Sequence, residues 1–195
     1  SCFDANTGLF QAILTDQDAV ISDELNHASL IDGIRLCKAE RHVYKNSDMK
    51  DLEGKLKATK AKRLRMIVTD GVFCMEGGIA KIKEVCDLAE KYDAIMVMDD
   101  SHATGFMGKT GRGTHELAGV KNRIDFITST FGKAMGGACG GFIVSSKQNI
   151  EFLRQRSRTY LFSNTLAPVI AGVNLFAIDY IKKHPELRTQ LWKNV

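Results

Sequence analysis

Short apolar runs rich in β-branched residues alternate with segments of helical periodicity along most of the chain. Six runs have the character of strands: AVISD, RHVYK, RMIVTD, AIMVMDD, DFITST and GGFIVSS. Between them, apolar residues recur at helical spacing, for example in HASLIDGIRLCKA and IAKIKEVCDLAEKYD. Strands joined by crossover helices form a parallel sheet, because each helix must bury its apolar stripe against a sheet face. We therefore predict a three-layer α/β fold, with a mostly parallel sheet and helices on both of its faces.

Length and charge restrict the possible functions further. The 195 residues are enough for one domain with a substantial core. The 27 basic and 23 acidic residues are interspersed, so the net charge of +4 does not indicate nucleic acid binding. The five cysteines show no paired spacing, which favours reduced thiols in an intracellular protein. No apolar run approaches the length of a membrane span, so we predict no membrane association.

Polar and small residues follow several of the predicted strands directly. Asp99 and Asp100 end the run AIMVMDD, and His102 follows two residues later. Thr130 ends DFITST, and Lys133 follows in a glycine-rich stretch. Ligands of open parallel sheets bind beyond the carboxyl ends of the strands, so these residues are expected on one rim of the sheet. Taken singly, each aspartate suits a turn and each histidine suits a structural role. Their occurrence together with an isolated lysine indicates a site that carries out a reaction.

Several kinds of site can be compared with this set of residues. The segment MGKTGRG resembles the end of a nucleotide-binding P-loop, but Ala103 stands where that motif requires glycine. A dinucleotide fold is not indicated either, because no GxGxxG follows the early strands. A metal-dependent hydrolase using Asp99, Asp100 and His102, with His115 as a further ligand, stays open on the sequence. That alternative leaves Lys133 without a role.

Pyridoxal phosphate accounts for the lysine and for its neighbours. A lysine amine binds the aldehyde of this cofactor, an aspartate pairs with the pyridinium nitrogen, and small or hydroxyl-bearing residues hold the phosphate. Six motifs along the chain resemble the α-oxoamine synthase family of fold type I pyridoxal phosphate enzymes. They are SCFDANTGLF, SDELNHASLIDGIRLCKA, DGVFCMEGGIA, DDSHATGFMGKTGRG, STFGKAMGGACGG and RQRSRTYLFSN.

The resemblance implies a role for each matching residue around the cofactor ring. Lys133 would carry the cofactor and later remove a proton from the amino acid. Asp99 would lie beneath the pyridine nitrogen, and His102 would bond the 3'-oxygen. His27 would stack on the ring and approach the substrate. Cys74 stands where the family has serine near the 3'-oxygen, and a thiol is the weaker hydrogen-bond donor.

The remaining matches concern the phosphate and a second subunit. The resemblance implies that the backbone amides of Cys2 and Phe3 and the hydroxyl of Thr130 bind the phosphate. Ser163 and Asn164 match positions that face the cofactor of the neighbouring subunit. A homodimer with shared sites is therefore expected.

The motifs favour the family members that condense glycine with acetyl-CoA to give 2-amino-3-ketobutyrate. Relatives that make 5-aminolevulinate or 8-amino-7-oxononanoate are the alternative within the family. The resemblance also implies that residues 1–195 are an incomplete cofactor-binding large domain, without an N-terminal segment and a C-terminal small domain. The arginine that binds the substrate carboxylate would lie in that small domain, so we expect little turnover from these residues alone. Eukaryotic relatives are expected in mitochondria and bacterial ones in the cytoplasm.

Overall fold

A computed structural model describes residues 1–194, and each of the six apolar runs forms a strand. The strands are β1 (Ala19–Asp23), β2 (Glu40–Tyr44), β3 (Arg65–Asp70), β4 (Ile95–Asp99), β5 (Phe126–Thr130) and β6 (Gly141–Val144). The helices are α1 (Cys2–Ile13), α2 (Ala28–Leu36), α3 (Met49–Ala58), α4 (Ile82–Lys91), α5 (Thr114–Leu117), α6 (Lys147–Arg156), α7 (Arg158–Phe162), α8 (Pro168–Lys183) and α9 (Glu186–Lys193). The predicted alternation of strands and helices is therefore confirmed.

The six strands form one sheet in the order β2-β1-β3-β4-β5-β6. The first five are mutually parallel, and β6 runs antiparallel to β5. The chain steps from β1 to β2 on one side and then returns to place β3 on the other side of β1. The carboxyl ends of β1 and β3 therefore flank a switch in winding direction, which is where open α/β sheets bind ligands.

Alternate residues of the central strands enter two separate cores. On one face, Ile21, Ile67 and Met96 pack with residues of α3 and α4 such as Leu52 and Val85. On the other face, the neighbouring strand residues pack with α1, α2 and α6, in a cluster that includes Val20, Met66, Val97, Phe10, Leu30 and Leu153. The period of two along each strand thus produces the predicted three layers.

Helix α1 was not anticipated from the sequence and is important for the site. Ser1 and Asp4 form a capping box at its start, in which each side chain bonds the backbone of the other residue. Leu9 and Phe10 are fully buried and fix the helix against the sheet and α2. This packing places the N-terminus of α1 beside the carboxyl end of β4. Within residues 1–194, no helix has both the length and the apolar character needed to cross a membrane.

The central strand should be the most sensitive part of the core. Ile67 is fully buried in β3, so Ile67→Ala removes apolar contacts and leaves a cavity between the sheet and the helices. We expect a loss of about 2–5 kcal/mol in the free energy of unfolding, measured by urea denaturation. Val43→Ala is the control, because Val43 is 57% exposed on the edge strand β2. A similar loss in both variants would contradict this account of the core.

Candidate active site

A cavity of about 180 Å³ opens at the carboxyl edge of the sheet. Strands β3, β4 and β5 supply residues from their ends, and α1 and α2 supply residues from their N-termini. The lining residues are Cys2, Phe3, His27, Ser29, Asp70, Asp99, Ser101, His102, Thr130 and Lys133. The rim predicted from strand ends is therefore a real cavity. Four of the residues expected around a cofactor ring line it, namely Lys133, Asp99, His102 and His27.

Lys133 and His102 are in direct contact inside this cavity. The Lys133 Nζ lies 2.7 Å from the His102 Nε2. Burial lowers the pKa of His102, and the positive charge of Lys133 lowers it further. A neutral imidazole can accept a hydrogen bond at Nε2, so the lysine ammonium donates to it. This contact holds the amine at the cavity, although Lys133 itself is exposed.

The loop that carries Lys133 is shaped by glycine and by one hydroxyl. Gly136 and Gly140 have φ values of 68° and 121°, which favour glycine over residues with a side chain. Thr130 Oγ1 donates to the Gly140 carbonyl and accepts from the Gly132 amide, both at 3.1 Å. Thr130 thus ties the end of β5 to both ends of the loop while it also lines the cavity.

Asp99 forms the floor of the cavity and is only 3% exposed. Its Oδ2 accepts from the Asn6 Nδ2 at 2.6 Å and from the Cys2 Sγ at 3.5 Å, and its Oδ1 accepts from the Ser101 amide at 2.9 Å. No lysine, arginine or histidine within the described residues forms an ion pair with it. A buried carboxylate without a cation suits a ligand that brings positive charge, such as a protonated ring nitrogen.

Burial and the charge of Asp99 together act on Cys2. They raise the pKa of its thiol to about 12, burial being the larger cause. The thiol therefore stays protonated and donates to the carboxylate. The first N–H groups of an α-helix lack partners within the helix, so the N-terminus of α1 at Cys2 and Phe3 is suited to an anion such as phosphate.

Asp70 is a second buried carboxyl group in the cavity, and the sequence analysis did not include it. Its Oδ2 accepts from the His27 amide at 2.6 Å, while its Oδ1 is buried without a hydrogen-bond partner. Burial and then the negative charge of Asp99 raise its pKa to about 8, although the bond from His27 opposes the shift. Asp70 ends β3 as Asp99 ends β4, so the same argument from strand ends could have identified it.

His27 caps α2 and lies across the cavity from His102. The two imidazole centroids are 6.2 Å apart, with an angle of 63° between the ring planes. The His27 Nδ1 accepts from the Ser29 amide at 3.2 Å and lies 2.8 Å from the Ser29 hydroxyl. Two imidazoles, a lysine and two carboxyl groups therefore converge on one small volume.

Three residues expected near the cofactor lie outside the cavity lining. Cys74 is exposed in the turn that follows β3 and does not line the cavity. Ser163 and Asn164 are exposed beyond the end of α7. Exposure of these two residues agrees with the expectation that they serve another subunit.

The metal-site alternative is not supported by the arrangement of its ligands. Asp100 is fully buried and turns away from the cavity, because both of its oxygens accept from Thr114. His115 lies beside Asp100, 3.8 Å away, while Asp99 and His102 face the cavity. Across residues 1–194, no group of three or more histidine, cysteine, aspartate or glutamate residues has a geometry able to hold a metal ion.

A family model described as aminotransferase class I and II matches residues 1–195. The chain belongs to this family. It is 55% identical over 196 residues to the 2-amino-3-ketobutyrate coenzyme A ligase of Escherichia coli K12, a match that covers 100% of the chain and 49% of the relative. The mitochondrial enzyme of the same name from Bos taurus is 56% identical over 181 residues, or 93% of the chain and 43% of the relative. The chain thus spans about half the length of the curated relatives it matches.

Solved structures of two named enzymes share the fold. Serine palmitoyltransferase from Sphingomonas wittichii superposes with a TM-score of 0.95 at 34% identity, covering 100% of the chain and 48% of that structure. The 8-amino-7-oxononanoate synthase from Francisella tularensis gives a TM-score of 0.85 at 26% identity, covering 99% of the chain and 55% of that structure. The sheet and its helices are therefore those of a known architecture, and the predicted fold class is confirmed.

The raised pKa of Asp70 predicts a pH-dependent stability. The folded chain binds this proton more tightly than the unfolded chain, whose aspartate pKa is 3.8. The stability that Asp70 contributes is complete below about pH 4 and is lost as the pH rises towards 8. Asp70→Asn keeps an acceptor for the His27 amide and does not titrate. We expect its free energy of unfolding, relative to the parent, to rise between pH 4 and 8 and then level off. Urea denaturation across this range measures the difference, and a constant difference would contradict the assignment.

Proposed function

We propose that this chain is the cofactor-binding large domain of a pyridoxal phosphate enzyme that condenses glycine with acetyl-CoA, giving 2-amino-3-ketobutyrate and coenzyme A. The observation that carries the proposal is the pairing of Lys133 with His102 above the buried Asp99. These residues occur in a chain that is 55% identical to a bacterial 2-amino-3-ketobutyrate coenzyme A ligase.

The cavity fits the three chemical parts of pyridoxal phosphate. Lys133 is the only lysine or arginine among the described lining residues, so it is the amine available to the aldehyde. Asp99 has no cationic partner in the described residues and would hold the ring nitrogen in its protonated form. His102 would bond the 3'-oxygen, since its Nε2 already faces Lys133.

The phosphate and the ring face would be held by residues of three elements. Cys2 and Phe3 would offer the amides at the start of α1, and Thr130 would offer its hydroxyl. His27 would cover the cofactor ring from the side of the cavity opposite Asp99. Cys74 is exposed outside the cavity lining, so its contact with the 3'-oxygen stays a prediction from the resemblance.

Each residue then has a defined task in the reaction. Pyridoxal phosphate, when bound, withdraws electrons from the α-carbon of the amino acid attached to it. Lys133 would take the proton released from that carbon, because it is the only amine among the described lining residues. Asp99 would keep the ring nitrogen protonated, and His27 would polarise the carbonyl of the acyl donor.

The choice of substrates rests on the relatives. The 8-amino-7-oxononanoate synthase 1 of Bacillus velezensis is 46% identical over the whole chain, which is less than the 55% to the E. coli ligase. That synthase type is therefore the second candidate. Release of coenzyme A from acetyl-CoA with glycine, compared with release from a longer acyl thioester with alanine, separates the two, because the methyl group beside the amine of 8-amino-7-oxononanoate requires alanine.

We also propose that the protein is an intracellular homodimer with shared active sites. The Bos taurus relative is named as mitochondrial, so a eukaryotic form would lie in mitochondria and a bacterial form in the cytoplasm. Large apolar side chains are exposed along α7 and α8, and such surfaces mark contacts with other chains. They include Tyr160, Leu161, Phe162, Val169, Leu175 and Phe176.

The dimer should depend on this apolar surface. Phe162 is 75% exposed at the end of α7, next to Ser163 and Asn164. Phe162→Asp is expected to shift sedimentation from dimer to monomer, because a buried unpaired charge opposes association. Val43→Asp is the control, since Val43 lies on the edge strand β2 at the opposite side of the sheet. A dimer that survives Phe162→Asp would place the interface elsewhere.

Lys133 is the decisive residue for the proposed cofactor. After incubation with pyridoxal phosphate and reduction with borohydride, peptide mapping should find a pyridoxyl group on Lys133. In the full-length protein, Lys133→Ala should lose the visible absorption of bound cofactor and the release of coenzyme A, whereas Lys109→Ala, a change at an exposed lysine, should keep both. A pyridoxyl group on another lysine, or none at all, would refute the assignment.

A further inference from the structure

The proton on the neutral His27 ring can be located from its hydrogen bonds. The backbone amide of Ser29 can only donate, and it points at the His27 Nδ1 from 3.2 Å. Nδ1 is therefore an acceptor and carries no proton. In a neutral imidazole the proton must then lie on Nε2, the ring nitrogen that is not engaged with Ser29.

The hydroxyl of Ser29 strengthens this arrangement when its proton points at the ring. The Ser29 Oγ lies 2.8 Å from the His27 Nδ1 and 2.9 Å from the Asn6 Nδ2. An amide nitrogen of asparagine only donates, so the Ser29 oxygen accepts from Asn6. The hydroxyl proton is then free to reach His27.

Asp99 decides which way the Asn6 amide points. The Asp99 Oδ2 lies 2.6 Å from the Asn6 Nδ2. A flipped amide would place the Asn6 Oδ1 against a carboxylate oxygen at that distance, which is repulsive. Asn6 is fully buried and Ser29 is 2% exposed, so solvent does not supply alternative partners. The two amide protons of Asn6 therefore go to Asp99 and to Ser29.

We propose that Asn6 is a positioning residue that orients Asp99 directly and His27 through Ser29, so that His27 presents an N–H donor to the cavity at Nε2. The inference deepens the proposed function and rests on it for the roles of Asp99 and His27. The network joins α1, α2 and β4. Asn6 in α1 and Asp99 in β4 are 93 positions apart in the sequence.

This orientation determines what His27 can do. A donor at Nε2 stabilises negative charge that develops on an oxygen, such as the carbonyl oxygen of an acyl donor under attack. The same nitrogen cannot accept a proton, so His27 does not act as the base there. The proton from the amino acid is left to Lys133, in agreement with the task proposed for that residue.

The experiment is nitrogen-15 NMR of histidine-labelled protein without added cofactor, which reports the protonation of each ring nitrogen. Spectra are recorded at about pH 8.5, two units above the ordinary histidine pKa. The His27 signal is identified as the one lost in His27→Gln. The parent protein is expected to show His27 protonated at Nε2 and bare at Nδ1. A proton on Nδ1 in the parent would overturn the proposal without any further variant.

Two variants test the network from its two ends. Asn6→Asp keeps the shape of the side chain but replaces its donor with an acceptor, so the Ser29 hydroxyl turns to residue 6 and away from His27. Ser29→Ala removes the hydroxyl directly and loses one atom, which makes it the safer variant to fold. Each should shift the ratio of the two neutral His27 tautomers towards Nδ1–H by roughly two- to tenfold, the effect of one hydrogen bond.

A matched control and a second readout complete the design. Ser101→Ala is the same change at another buried serine of the cavity, whose hydroxyl contacts Cys2 and not His27. It should leave the His27 signal unchanged. Asn6→Asp should also raise the dissociation constant of pyridoxal phosphate at least tenfold, since one hydrogen bond to a charged group is lost and a second carboxyl faces Asp99.

The outcomes separate the network from the proposed function. A His27 signal that shifts in Ser29→Ala but not in Asn6→Asp would overturn the role of Asn6, and an unchanged signal in both would overturn the whole proposal. The expected NMR shifts without any pyridoxal phosphate bound at Lys133 would leave the network standing and refute the proposed function alone.

Discussion

The parallel pairing of β3, β4 and β5 is the constraint on which the site depends. Its register sets Asp70 beside Asp99, and Asp99 beside Thr128 two residues before Thr130. Parallel strands end at the same edge of a sheet, so residues far apart in the chain meet there without any long loop. The two hydrophobic cores hold this register, because a slip by one residue would turn every buried side chain to the wrong face.

Two carboxyl groups at the same buried edge repel one another, and the fold resolves this in two different ways. Asp99 accepts hydrogen bonds from Asn6, Ser101 and Cys2, so it can remain charged without a cation. Asp70 has one oxygen without a partner, and its pKa rises to about 8. Asp70 thus takes up a proton near neutral pH, whereas Asp99 is held by hydrogen bonds from three neighbours.

Much of the fold and part of the site could be predicted from local sequence. The six strands and the larger crossover helices follow from periodicity, and Asp99, His102, Thr130 and Lys133 follow from their positions after strands. Helix α1 was missed. The resemblance placed Cys74 near the cofactor, and its position after a strand placed Asp100 on the rim. In the structure Cys74 is exposed and Asp100 bonds Thr114. Residues next to each other at a strand end point in different directions, and the strand pattern does not settle which residue faces the cavity.

The sequence by itself determined the layers of this protein and the chemical types at its rim, because strand period, helix period and strand ends are properties of neighbouring residues. Only the tertiary structure decided that Asn6 and Ser29 would connect Asp99 to His27 through hydrogen bonds. Those contacts join α1, α2 and β4 across separations of up to 93 residues. They exist because Leu9, Phe10 and Leu30 pack the two helices against the sheet, and no local pattern specifies the partners that such packing brings together.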